Sequence, residues 1–441
     1  MRYLPLISLI LCLMPACSSE TDDALSPIKV EIRKTGGGYR LLRGGEPYTV
    51  RGAGMVIDDI ERFAAVGGNS IRSWSTMQAG QDTRELLDTA HAHGVTVALG
   101  LPMRPERHGF DYDDPDEVAA QLETMRREVL KYRGHPAVLV WVIGNELNHS
   151  YENPRVYDAV NDVAEMIHEL DPYHPTTTAT SGFKPEVITE VMTRAPALDF
   201  ISFQMYGSLF RFPERLAETA FDSPFMVTEW GTIGYWEAET TDWGAPVELH
   251  SSAKADTFRR AYRDILAPLK GQLLGSYAFY WGQKQERTPT WFGMLTEDGR
   301  LTEVVDVMQF SWTGEWPDNR TPRVHTLLLD GKAASESVRL VSNQTYEAVI
   351  DVRDPDGDAI TYRWELKPES TATTGGGDYE EPLTSLDGFL ADASAARTTL
   401  ATPTPGSYRL FAYASDEHGR LAHANIPFLV ESEPAPESPA N

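Results

Sequence analysis

The chain has 441 residues, enough for two or three domains, with 41% hydrophobic and 24% charged side chains. This composition is typical of a soluble globular protein and excludes a disordered or membrane-embedded chain. The formal net charge of −26 argues against nucleic acid as a partner, because phosphate binding needs a basic surface.

The N-terminus predicts an export signal. Arg2 precedes an apolar run that ends at Cys17, a length that suits a secretory signal but not a membrane-spanning helix. The end of this run resembles a bacterial lipobox. We therefore expect residues 1–17 to be a lipoprotein signal peptide with a lipidated Cys17, residues 18–27 to be a polar tether, and the protein to be exported and anchored at the outer membrane or cell surface of a bacterium. A soluble export signal cut nearby is the alternative.

Short apolar runs alternate with amphipathic runs from about residue 48 to 315, which indicates repeated β–α units. The predicted strands are 48–55, 69–74, 95–101, 137–146, 176–180, 199–207, 224–231 and 274–282, each followed by a helix. Eight such pairs predict an α/β fold, a (β/α)8 TIM barrel within residues 28–318. A glycine pair before the first strand predicts a hairpin that caps the bottom of the barrel. A doubly wound sheet is the alternative, but no GxGxxG turn follows the first strand.

The composition changes beyond Arg320 to alternating strands separated by turns. Residues 319–432 predict an all-β immunoglobulin-like sandwich of accessory role, with Trp364 as a core marker. Within it, residues 371–379 are expected to form a loose loop, and residues 433–441 a disordered tail. Asp354–Asp358 has the spacing of a calcium loop without the final glutamate of an EF-hand, so we expect a β-turn there.

Two glutamates end buried strands of the predicted barrel. Glu146 closes the fourth strand and Glu229 the seventh, each after a run of apolar residues. A charge at a buried strand end is costly unless it has a partner or a function. Reactive side chains of TIM barrels lie at the C-terminal strand ends. A structural salt bridge is the alternative for one such residue, but two of them favour a catalytic pair.

The segments that carry this pair, residues 134–148 (GHPAVLVWVIGNELN) and 226–231 (MVTEWG), resemble clan A of the glycoside hydrolases. The barrel domain of glycoside hydrolase family 2 is most similar, and family 5 is a near alternative. The resemblance covers Val50 to about Trp312. It implies a retaining β-glycosidase with Glu146 as acid/base and Glu229 as nucleophile.

The resemblance implies further roles around the pair. Arg72 is similar to the arginine that keeps the nucleophile ionised, Asn145 to the asparagine that binds the sugar 2-hydroxyl, and Tyr206 to the phenol that hydrogen-bonds the nucleophile. Trp281 resembles the indole platform beneath the sugar. Other strand-end side chains are expected to contact sugar, because sugar C–H faces stack on aromatic rings. These are Trp74, Trp230, Trp236 and His149. Ordinary ion pairing, turn formation and core packing are the alternatives.

The expected reaction is hydrolysis of a neutral β-linked oligo- or polysaccharide, of β-glucan or β-mannan type, by double displacement. The negative net charge makes an anionic polysaccharide a poor substrate unless a basic patch is concealed locally. No cofactor is expected, and no metal, because no HExxH or carboxylate set accompanies His108, His149 or His174. A transglycosylase with the same pair and a non-catalytic glycan-binding lipoprotein are the alternatives. The sequence leaves the sugar, the linkage, exo or endo action and the oligomeric state open.

Overall fold

The computed structural model describes residues 26–55 and 59–433. The predicted signal peptide, Cys17, most of the tether and residues 434–441 of the predicted tail lie outside the described residues. Among the helices of the described part, none combines the length and the apolar character that crossing a bilayer requires.

A closed parallel barrel of eight strands forms the first part of the chain. Three antiparallel strands precede it, β1 (Val30–Thr35), β2 (Gly38–Arg43) and β3 (Glu46–Pro47). The barrel strands are β4 (Gly52–Gly54), β5 (Ser70–Arg72), β6 (Thr96–Leu101), β7 (Val138–Asn145), β8 (Thr176–Ser181), β9 (Phe200–Gln204), β10 (Phe225–Trp230) and β11 (Leu273–Ala278). They pair in chain order, and β11 closes on β4. The predicted TIM barrel is therefore confirmed.

Helices surround the barrel. They are α1 (Ile60–Ala65), α2 (Thr83–Ala92), α3 (Pro115–Tyr132), α4 (Arg155–Leu170), α5 (Pro185–Arg194), α6 (Phe212–Ala217), α7 (Ser251–Arg260) and α8 (Glu303–Thr313). Asp82 and Asp114 cap α2 and α3, each accepting hydrogen bonds from backbone N–H groups of the first turn. The helix predicted over 214–221 instead spans Phe212–Ala217. It begins earlier because Phe212 and Leu216, four positions apart, form its buried apolar face.

The strands β1 to β3 lie at the bottom of the barrel, where the barrel strands begin. The Val30 N–H donates to the Tyr173 carbonyl at 2.8 Å, and the Tyr39 N–H to the Gly271 carbonyl at 2.7 Å. Gly38 has a φ of 109°, and a Cβ there would lie 2.0 Å from the Gly271 carbonyl oxygen. Only glycine fits so close an approach. The cap thus has the position that the sequence predicted.

A two-sheet sandwich follows the barrel. Its strands are β12 (Arg323–Leu329), β13 (Val338–Val341), β14 (Thr345–Arg353), β15 (Thr361–Pro368), β16 (Arg397–Ala401), β17 (Gly406–Ser415) and β18 (Leu421–Glu431). One sheet has the order β12-β14-β16 and the other β13-β18-β17-β15. Trp364 is buried between them with Leu366, Leu400 and Phe428. Seven strands in two facing sheets agree with the predicted fold class.

A buried polar network joins the sandwich to the barrel. Glu248 accepts hydrogen bonds from the Lys254 ammonium on α7, from Thr288 Oγ1 at 2.6 Å and from Asn425 Nδ2 on β18 at 2.6 Å. Burial alone would raise the pKa of Glu248, but the charges of Lys254 and His423 and the hydrogen bonds from Lys254 and Thr288 lower it to about 2. The Leu421 N–H also donates to the Leu301 carbonyl at 2.9 Å. The sandwich is therefore packed firmly against the barrel.

Candidate active site

A cleft opens at the C-terminal ends of the barrel strands, with a volume of about 940 Å³. This size lies within the range of ligand sites. The barrel side chains that line it lie at or beyond the C-terminal ends of seven of the eight strands and are mainly aromatic or polar. They include Trp74, Asn145, Glu146, His149, Gln204, Tyr206, Glu229, Trp236, Phe279 and Tyr280.

The carboxylate of Glu229, on β10, is 6% exposed and accepts hydrogen bonds from three side chains. The fully buried Arg72 on β5 donates to Oε1, as does Trp74 Nε1 at 2.7 Å. The Tyr206 hydroxyl donates to Oε2 at 2.8 Å. Burial and the neighbouring Glu229 charge raise the pKa of Tyr206 well above its ordinary value, so the phenol keeps the proton that it donates. The three donors stabilise a negative charge on Glu229.

The amide of Asn145 is oriented by two donors. Its Oδ1 accepts hydrogen bonds from the second guanidinium nitrogen of Arg72 and from Gln204 Nε2, the latter at 2.7 Å. Because the amide oxygen makes both bonds, the Asn145 NH₂ group is the part that can donate to a ligand in the cleft. Arg72 thus fixes the ends of β7 and β10 relative to each other.

Glu146 follows β7 in an uncommon backbone conformation. Its φ is 48° and that of Gly144 is 71°. A left-handed conformation at a residue other than glycine costs energy and is found preferentially at functional sites. Backbone bonds hold the turn, since the Glu146 N–H donates to the Ala179 carbonyl and the His149 N–H to the Glu146 carbonyl, both at 2.8 Å.

The Glu146 carboxyl has a strongly raised pKa, to about 8. Burial is the larger cause, and the charge of Glu229 is the second; the Arg72 guanidinium opposes both. Glu146 is therefore protonated at neutral pH, while Glu229 is surrounded by donors to its charged form. One cleft thus holds a proton donor and a carboxylate bound by three hydrogen-bond donors, the arrangement that acid-assisted nucleophilic displacement needs.

Two predicted sugar contacts, Trp230 and Trp281, do not line the cleft. Both are 0% exposed; Trp281 packs on Phe63 of α1 at 5.2 Å between ring centroids, and Trp230 on Phe258 of α7 at 5.4 Å. Trp230 is adjacent to Glu229 on β10, so the alternation of a strand directs it to the opposite face. Trp281 lies beyond the end of β11, which stops at Ala278 rather than at residue 282. The prediction that Trp230 and Trp281 contact the sugar is therefore wrong, because both side chains are buried in the core around the barrel.

The other predicted contacts, Trp74, Trp236 and His149, line the cleft. Phe279 and Tyr280 line the cleft where Trp281 was expected, and Gln204 lines it as well; none of these three residues was predicted from the sequence. The sequence did contain a signal for Gln204. It is a polar residue at the end of an apolar strand, and residues two positions apart on a strand point to the same face, so Gln204 shares the face of Tyr206.

The cleft also contains charges from outside the catalytic pair. Lys284 pairs with Glu286 at 2.7 Å, and Arg107 with Asp378 at 3.0 Å. Lys184 and Arg215 line the cleft as well. Neither has an ion pair within residues 26–55 and 59–433.

Within the described part of the chain, one acidic group has ligand atoms spaced for a metal ion. The carboxylates of Asp354, Asp358 and Asp416 lie within 4.8 Å of one another in the sandwich. Asp354 accepts hydrogen bonds from the N–H groups of Asp356 and Asp358, at 2.9 and 3.0 Å, which is the geometry of the expected turn. The absence of a metal or cofactor stays a prediction.

The barrel has eight strands, with a carboxylic acid after the fourth and a carboxylate on the seventh, which is the arrangement that the resemblance to clan A of the glycoside hydrolases implied. Residues 85–233 match the family described as glycosyl hydrolases family 2, TIM barrel domain. These residues run from α2 to just beyond the end of β10, so the match confirms the resemblance to a family 2 barrel domain over this part of the barrel.

Solved structures share this fold. The chain matches Bacteroides uniformis β-glucuronidase 2, bound covalently to cyclophellitol-6-carboxylate aziridine, at 16% identity and a TM-score of 0.51, over 92% of this chain and 48% of that chain. It matches the β-glucuronidase of Dictyoglomus thermophilum at 19% identity and a TM-score of 0.50, over 66% of this chain and 54% of that one. The chain therefore spans about half the length of these structures, and at such identities the likeness concerns the fold.

Proposed function

We propose that the protein is a retaining β-glycosidase that cleaves O-glycosidic bonds by double displacement. The observation that carries this proposal is the pair of carboxyl groups in one cleft, one with its pKa raised to about 8 and one bound by three donors. A retaining enzyme needs one protonated and one ionised carboxyl group at the scissile bond.

In the first step, an oxygen of Glu229 attacks the anomeric carbon while the bond from this carbon to the leaving oxygen breaks. The proton of Glu146 passes to that leaving oxygen. The Asn145 amide NH₂ donates to the sugar 2-hydroxyl, a contact that strengthens in the transition state. Tyr206 and Trp74 keep Glu229 aimed at the sugar.

In the second step, the glycosyl ester on Glu229 is hydrolysed. Formation of the ester removes the negative charge of Glu229, which was one cause of the raised pKa of Glu146. Glu146, now ionised, takes a proton from water as the water oxygen attacks the anomeric carbon, and Glu229 leaves as a carboxylate. Two inversions give net retention.

We propose a neutral sugar at the cleavage site. Trp74, Gln204, Tyr206 and Phe279, which line the cleft with the catalytic pair, are uncharged, and the guanidinium of Arg72 is engaged by Glu229 and Asn145. An acidic sugar is the second candidate, because Lys184 and Arg215 line the cleft without an ion pair among the described residues. The two structures named above are β-glucuronidases, whose sugar is acidic.

The structure bears on the two alternative functions, a non-catalytic glycan binder and a transglycosylase. A non-catalytic binder has no need for a strained backbone at Glu146 or for a protonated acid facing a carboxylate. A transglycosylase would share the catalytic pair and the ester, and would differ in passing the sugar to a second glycan instead of to water. Incorporation of ¹⁸O from labelled water into the product distinguishes the two reactions.

The test is a panel of 4-nitrophenyl β-D-glycosides, comprising the glucoside, mannoside, galactoside and glucuronide, followed by proton NMR of the first-formed product. We expect cleavage of a neutral member with release of the β-anomer. Release of the α-anomer contradicts double displacement. Cleavage of the glucuronide alone contradicts the neutral sugar but not the mechanism.

We propose further that the protein is exported and anchored through a lipid on Cys17. Three features of the sequence support this proposal: an apolar run after Arg2, the small residue Ala16 directly before Cys17, and the polar residues that follow Cys17. Cys17→Ser should move the protein from the membrane to the soluble fraction of a bacterial host and abolish labelling by radioactive palmitate. Equal labelling of both forms contradicts this anchor.

A further inference from the structure

A loop of the sandwich reaches the cleft of the barrel. Residues 374–378, between β15 and β16, line it together with the catalytic pair. The sequence predicted a loose loop here and an accessory sandwich. The structure instead places a segment of the second domain in the wall of the candidate active site.

Two loops of the barrel, one after β6 and one after β11, hold this segment. Asp378 accepts two hydrogen bonds from Arg107, which follows β6, at 3.0 and 3.2 Å. Glu286, 2% exposed, accepts one from the Gly377 N–H at 3.2 Å. Arg287 donates to the Thr374 carbonyl at 3.1 Å and pairs with the buried Glu380 at 3.0 Å. Charge-assisted bonds of this kind fix a loop more firmly than neutral ones.

The loop reaches the side of the cleft that carries the acid. A Cβ on Gly375 would be 3.5 Å from Nε2 of His149, which is three residues after Glu146. Arg107, which holds the loop, is also close enough to Glu146 to lower its pKa. Because the acid protonates the leaving oxygen, the leaving group has to extend along this side of the cleft.

The loop packs against an exposed aromatic ring in the wall of the cleft. A Cβ on Gly376 would be 3.1 Å from Cζ3 of Trp236, so the glycine backbone lies directly against the indole. Trp236 is nevertheless 50% exposed and lines the cleft. An exposed indole beside backbone amides is suited to a sugar ring, which offers a C–H face for stacking and hydroxyls for hydrogen bonds.

We infer that residues 374–378, with Trp236 and His149, form the binding site for the leaving-group sugar, so that the sandwich selects which glycoside is cleaved. The inference rests on the proposed function, because the acid role of Glu146 determines which side of the cleft binds the leaving group. It makes the sandwich part of the enzyme's substrate site.

Gly376→Val tests the inference. The added side chain would press on the indole of Trp236 in the cleft wall and compete with a leaving-group sugar for it. The measurement is kcat/KM for two substrates that carry the sugar accepted in the panel, a β-linked disaccharide and the glycosyl fluoride. Fluoride has no ring to stack on Trp236. We expect the ratio of disaccharide to fluoride kcat/KM to fall by roughly tenfold or more. Asp378→Ala, which frees the loop from Arg107, should lower the same ratio.

The matched control is Gly37→Val in the turn between β1 and β2, at the opposite end of the barrel. A Cβ on Gly37 meets no atom within 4 Å, so this substitution adds the same side chain in open space. We expect the ratio to be unchanged in this control. If Gly376→Val leaves the ratio of disaccharide to fluoride kcat/KM unchanged, the inference is overturned. This holds also when kcat/KM falls equally for both substrates. A wild-type protein that cleaves neither substrate overturns the proposed function itself.

Discussion

Glu229→Ala is expected to lower kcat by roughly 10⁴- to 10⁶-fold, the scale of loss when an enzyme loses its nucleophile. Sodium azide should restore turnover and yield the α-glycosyl azide from a β-glycoside. Removal of the carboxylate leaves Arg72, Trp74 and Tyr206 as donors around a space that a small anion can occupy. Azide bound there attacks the same face as Glu229, so a single displacement replaces two and the configuration inverts.

Release of 4-nitrophenol measures the rescue, and NMR determines the anomer. Glu286→Ala is the matched control, since Glu286 is another buried glutamate that lines the cleft and pairs with a cation, Lys284. Any activity lost in that variant should not be recovered with azide. Full activity of Glu229→Ala without azide, or a β-azide product, contradicts the assignment of the nucleophile.

Glu146→Ala is expected to give a loss that depends on the leaving group. For a disaccharide, kcat/KM should fall by roughly 10²- to 10⁴-fold, the usual contribution of a positioned acid. For a 2,4-dinitrophenyl glycoside it should change little, because that leaving group departs without a proton. Equal losses for both substrates contradict the acid role of Glu146.

The wild-type pH profile gives a second readout of the same residue. The pKa of Glu146 is raised to about 8, so the protonated, active form predominates below this pH and is lost above it. For the disaccharide, kcat/KM should therefore decline as pH rises through about 8. The 2,4-dinitrophenyl glycoside, which needs no acid, should lack this decline, and a decline shared by both substrates would point to another titrating group.

The sequence predicted the parts of the site that local patterns determine. Glu146 and Glu229 were recognisable because each ends an apolar strand, and the strand ends of a barrel converge on one face. Arg72, Asn145 and Tyr206 followed from the same rule and from the family resemblance. The structure brings all five together through side-chain hydrogen bonds or through the electrostatic coupling of the two glutamates.

Other parts depended on information that local patterns do not contain. Trp281 was placed by assuming that the last strand continues to residue 282, whereas it stops at Ala278 and the next two aromatic residues take the cleft positions. The pairing of Arg107 with Asp378 joins residues 271 positions apart and depends on how the two domains pack. The periodicity of the barrel sequence and that of the sandwich sequence do not indicate how the two domains pack.

The cap at the bottom of the barrel determines how an anchored molecule would face its surroundings. The described chain enters through β1, which bonds to the Tyr173 carbonyl at the end of the barrel where its strands begin, while the cleft is at the opposite end. A lipid at Cys17 would therefore hold the molecule by its base. The mouth of the cleft would point away from the bilayer, toward glycans arriving from the surrounding medium rather than toward the headgroups of the membrane itself.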